Sequence, residues 1–235
     1  MMKSLVGTGL QARLSHEQYK KYETEIAAID DSWAKSLSDL QNCKLSSVSE
    51  GIEDKYIPIP YCQHDYSHII YDYRECRTLS AGESLPKGYK TMADGGTIPC
   101  ALMTLLDYFK TAPNSLEDIG TVLVENGYRT KSRGTLWVAV DKVLDFYHVR
   151  AEIQPSVHTV FDMVRNKRPV IAITSGMWLH DIPYPLMKTN ECIIIWRIEG
   201  ENAIFTTTSR HSARRENFYD LLRNTKRAWA CQKFS

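Results

Sequence analysis

Apolar positions along the chain repeat with two different periods, and the switching between them sets the expected element order. From 98 to 111, Ala101, Leu102, Leu105, Leu106, Tyr108 and Phe109 recur at helical spacing behind Pro99 in the first turn. Further helices are expected at 115–126, where Asn114 or Ser115 caps and Glu117 and Asp118 occupy the first turn, at 135–147 and at 156–167. Short apolar runs predict strands near 149–153, 169–174, 191–198 and 202–207. Towards the N-terminus, Tyr19, Tyr22, Ile26, Ile29, Trp33, Leu37 and Leu40 follow a Ser15 cap at helical spacing, so 16–40 reads as a helix. It packs on the core or, alternatively, serves as a partner-binding or dimerising helix.

The segments between these elements divide the chain. Residues 44–51 are polar and read as a linker, so 1–51 forms an N-terminal helical extension and 52–211 the core. The stretch 66–90, rich in Tyr, Arg, Ser and Gly, is expected as a loop or small hairpin beside a groove. The tail 212–235 sets Arg214, Arg215, Arg223, Lys226 and Arg227 among Phe218, Leu221, Leu222 and Trp229. It reads as a basic amphipathic helix packed on the core, its charges solvated rather than bound to nucleic acid.

Composition narrows the function classes. With 235 residues and 43% hydrophobic content the chain can bury a sizeable core, and a net charge of +1 gives no argument for a nucleic-acid or membrane partner. No run reaches transmembrane length, and the first residues lack the apolar stretch of a signal peptide. Six irregularly spaced cysteines suit a reducing compartment, so a cytoplasmic location is expected. Cys62, His64, His68 and Cys76 lack the paired spacing of a structural zinc site, and neither metal nor cofactor is expected.

The densest chemical signal is Gly95-Gly96-Thr97-Ile98-Pro99-Cys100-Ala101-Leu102-Met103, a glycine turn running into an apolar helix. A helix N-terminus lowers the pKa of a thiol placed there, and glycines let the backbone approach a substrate. Three more segments follow the same logic. They are Ile57-Pro58-Ile59-Pro60-Tyr61-Cys62-Gln63-His64 before the turn, Arg133-Gly134-Thr135-Leu136-Trp137 after it, and Asn166-Lys167-Arg168-Pro169-Val170-Ile171 beyond that. This ordered set resembles the bacteriocin-processing, double-glycine type of papain-like cysteine peptidase over roughly residues 55 to 210.

The resemblance implies an α+β papain-like fold with an added N-terminal helix. It also implies a site whose chemistry has been replaced. The nucleophile position falls on Thr97, the histidine position on Glu191 or, with a one-residue slip, Asn190, and the aspartate position near Thr208-Ser209; Gln63 matches the residue that donates to the oxyanion in active relatives. An internal threonine has no N-terminal amine to activate it. The expectation is therefore a catalytically inactive protein that binds a peptide, protein or small molecule through Gln63, Thr97, Trp137, Trp178, Asn190, Glu191 and Thr208. Such a protein would suit a regulator, an immunity or anti-defence factor, or an effector of a bacterium or phage. The alternative is an active thiol hydrolase or acyl transferase with a displaced nucleophile, Cys100 or Cys62, assisted by His180 and Gln63. A homodimer through 16–40 is a further alternative.

Overall fold

Strand pairing organises the computed structural model, which describes residues 32–33, 35–37, 49–175 and 190–234. In chain order the strands are β1 (Ser49–Gly51), β2 (Ile69–Tyr71), β3 (Cys76–Thr78), β4 (Arg129–Thr130), β5 (Gly134–Thr135), β6 (Val149–Ile153), β7 (Val170–Ser175), β8 (Asn190–Glu199), β9 (Asn202–Thr207), β10 (Arg214–Asn217) and β11 (Thr225–Lys233). The helices are α1 (Met92–Gly95), α2 (Thr97–Phe109), α3 (Leu116–Glu125), α4 (Ala139–Phe146), α5 (Val157–Arg165) and α6 (Phe218–Arg223). One antiparallel sheet runs β10-β9-β8-β7-β11-β6, with β1 paired to the far end of β8. Two small hairpins, β2–β3 and β4–β5, stand apart from it. The fold class is α+β, as expected.

Both faces of the sheet are buried, which is why its strands read as apolar runs rather than as polar-apolar alternation. Ile171, Ile173, Cys192, Ile194, Trp196, Trp229 and Cys231 pack against α2, α3 and α4. Their strand neighbours Val170, Ala172, Ile193, Ile195, Ala228 and Ala230 pack against α5 and α6 on the other side. A bulge in β8 between Ile195 and Arg197 shifts the alternation, so Ile198 joins this second face.

The helices begin where their caps dictate. Ser115 and Asp118 cap α3 reciprocally, at 3.2 Å and 3.0 Å. The Asp94 carboxylate accepts from both the Thr91 N–H and the Thr91 hydroxyl at 2.8 Å, fixing the short α1 just ahead of α2. Lys110 ends α2 in the left-handed conformation, φ 58.

Four expectations are corrected. The tail is not a solvated helix: β11 lies inside the sheet between β7 and β6, so 212–235 completes the core instead of packing on it. Residues 49–51 are a strand rather than linker. The helix expected at 135–147 starts at Ala139, because Gly134 turns at φ 70 and Thr135 pairs in a hairpin, its hydroxyl 2.6 Å from that of Tyr71. The small hairpin foreseen in 66–90 exists, but β3 packs on α3, where Cys76 Sγ donates to the Glu117 carbonyl, and neither β2 nor β3 lines the groove described below.

Of the expected helix 16–40 only residues 32–33 and 35–37 are described, and they are helical. Buried Trp33 donates to the Leu222 carbonyl at 3.3 Å, and Ser36 accepts from the free Val157 N–H at the start of α5 at 3.1 Å. The remainder of 16–40 lies outside the described residues, as do Trp178 and His180. Among the described residues no helix is long and apolar enough to cross a membrane.

Candidate functional site

The N-terminus of α2 abuts the beginning of β8, and this contact gathers much of the expected site. The Thr97 hydroxyl accepts a hydrogen bond from the Cys192 backbone N–H at 2.9 Å. Strand alternation puts Asn190 on the same face as Cys192 and sends Glu191 to the opposite face, with Ile193. Asn190, rather than Glu191, therefore shares the face that Thr97 meets. Its Oδ1 accepts from Lys226 Nζ at 2.6 Å.

Thr208 lies one step beyond the Ile193–Thr207 pair, beside Cys192, and its carbonyl accepts from the Gln63 N–H at 2.8 Å. Buried Gln63 Oε1 and Thr208 Oγ1 have no hydrogen-bond partner among the described residues. Thr97, Asn190, Thr208 and Gln63 thus meet at one end of the sheet. None of the four brings a thiol, an imidazole or a carboxylate.

Glu191 has a different role. Its Oε1 accepts from Ser209 Oγ at 2.8 Å. Burial pushes its carboxyl above the usual carboxylate range, against the opposing pull of the Ser209 and Thr207 hydroxyls and of Arg214 and Arg210. A carboxyl with a raised folded-state pKa binds more protons in the native chain than in the unfolded one. Stability then falls as pH rises from the unfolded value, about 4.3, through the folded one. Glu191→Gln should therefore raise stability at neutral pH and remove that part of the pH slope. A gain of about 1 kcal/mol would lift Tm by roughly 2–4 °C in thermal melts recorded from pH 4 to 8. A variant less stable than the parent at neutral pH would show that the charge is needed.

Cys100 points into the core rather than to the surface. It is fully buried in the helical core, and burial drives its thiol far above the ordinary range, holding it neutral and out of reach. Trp137 is half-buried against the same core with the Arg227 guanidinium 5.8 Å over its ring, away from the groove. Cys62, His64, His68 and Cys76 do not gather as ligands; Cys76 is held by α3.

Gln63 opens a single 3-10 turn, Gln63–Tyr66, reached by an extended segment at 57–62. Tyr61 donates its N–H to Thr104 Oγ1 at 3.0 Å, which straps this segment along α2. Between the segment and the C-terminal end of α2 opens a groove of about 890 Å³. Tyr56, Ile59, Tyr61, Tyr66, Tyr108 and Phe109 are its apolar walls, and Tyr56 and Ile59 are 59% and 76% exposed. The motif reading missed this groove, although the aromatic density at 56, 61 and 66 around two prolines was a local signal for it.

No family model and no curated protein matches the sequence. Among solved structures, the chain is similar to the peptidase domain of Streptococcus ComA, a bi-functional ABC transporter involved in a quorum-sensing pathway. The identity there is 12%, the match covers 59% of this chain and 91% of that one, and the TM-score is 0.44. It is also similar to a double glycine motif protease from an AMS/PCAT transporter in complex with the leader peptide, at 14% identity, 59% and 84% coverage and a TM-score of 0.40.

Proposed function

We propose that this chain is a catalytically inactive papain-like protein that binds an extended peptide in the groove beside α2. The observation carrying this reading is the use made of Thr97. Its hydroxyl anchors α2 to the Cys192 backbone, and the residues sharing that face, Asn190 and Thr208, supply neither base nor orienting carboxylate. Acyl transfer at Thr97 would need a base in reach of its hydroxyl.

The groove, by contrast, is lined by exposed apolar side chains. Exposed apolar side chains in a concave strip cost free energy unless a partner covers them. An extended chain is a natural occupant of a strip flanked by a prolyl segment and the end of a helix. The regulatory, immunity and effector roles all use such binding.

The test is to incubate the purified chain with a broad peptide library and a thiol-reactive peptidyl electrophile. Binding without cleavage is expected, and Tyr108→Ala should weaken the retained peptides about tenfold, as loss of an aromatic anchor does. Peptide turnover, or turnover-dependent labelling of one cysteine, would overturn the reading.

A further inference from the structure

Cys62, Asp65 and His211 meet at the wall of this groove although His211 comes from the loop after β9, far along the chain from the other two. Their ligand atoms all lie within 4.8 Å of one another, and His211 Nε2 is 3.4 Å from Asp65 Oδ2. Two ligands about 2.0 Å from a tetrahedral ion stand roughly 3.3 Å apart, so this separation already suits a shared metal.

We propose that Cys62, Asp65 and His211 form a zinc site whose fourth position opens into the groove. Thiolate with imidazole selects zinc over magnesium or calcium, which prefer all-oxygen shells. Three protein ligands with one open position is the arrangement of a zinc that also contacts a ligand or water. The Asp65 N–H donates to the Cys62 carbonyl at 3.1 Å, so a single backbone turn places both. All three residues line the groove, so a water or an oxygen of the groove's occupant completes the shell.

Cobalt titration of the chelator-stripped full-length chain tests the site, with zinc as competitor. One Co²⁺ per chain is expected, with a thiolate-to-cobalt charge-transfer band that Zn²⁺ abolishes. The side chains of His211 and Asp65 are 61% and 50% exposed, so His211→Gln and Asp65→Asn report on ligation rather than folding. Each should lower affinity more than about 100-fold, beyond what loss of an outer contact costs. Cys62→Ser should remove the band, whereas His64→Gln and His68→Gln should change nothing. No charge-transfer band, or binding that survives His211→Gln, overturns the proposal. Peptide binding is read separately, so failure of either assignment leaves the other standing.

Discussion

A chain ending at residue 211 is expected to lose cooperative folding. The deletion removes β11, which pairs with β7 on one side and β6 on the other, and so strands β6 outside the sheet. It also removes Phe218, Leu221 and Leu222, which fill the face covered by α5 and α6. Buried apolar area contributes about 25 cal/mol per Å², and a domain's net stability is only about 5–15 kcal/mol, so losing a central strand exceeds the margin. Within the same strand, Trp229→Ala should cost about 3–5 kcal/mol through the cavity it leaves under α2–α4. That corresponds to a Tm fall of roughly 6–20 °C. Circular dichroism melts of both chains give the answer. A truncated chain melting cooperatively near the parent's temperature would mean that 212–235 is an accessory segment after all.

That tail shows where reading from sequence stops. The isoleucine-rich β8 and the leucine pairs of α2 announce their period directly. In β11 the two buried faces carry Arg227, Trp229 and Cys231 on one side and Ala228 and Ala230 on the other. Alanine and arginine carry no strand signal, so the strand is defined only by the neighbours that flank it. The site divides in the same way. Thr97, Gln63 and Thr208 follow from motif order along the chain; Gln63 bonds to the Thr208 carbonyl, and Thr97 to the Cys192 N–H. Choosing between Asn190 and Glu191 needs the register of β8, because a shift of one residue exchanges the two faces. His211 has no local mark at all: its meeting with Cys62 and Asp65 is made by the end of β9.

Gly96→Ala is expected to cost about 3 kcal/mol, the upper end for overpacking. Its φ of −87 is open to any residue, so backbone conformation does not require glycine here. Space does. A Cβ at this position would stand 2.4 Å from the Met92 carbonyl oxygen and 2.6 Å from its side chain, and the Asp94–Thr91 cap holds that backbone in place. At Gly95 the added atom meets the end of the Arg129 side chain at 2.7 Å, which can yield by sliding across Tyr71. Gly95→Ala should therefore cost about 1 kcal/mol, the low end of the same range. Urea unfolding of the two variants separates the explanations. Glycines kept to admit a substrate would leave stability unchanged in both, whereas a steep loss confined to Gly96→Ala assigns that glycine to the joint between α1 and α2. The turn then needs its glycine because α2 must be held at this angle to bring Thr97 onto Cys192 and to form one wall of the groove. Neither requirement depends on a nucleophile.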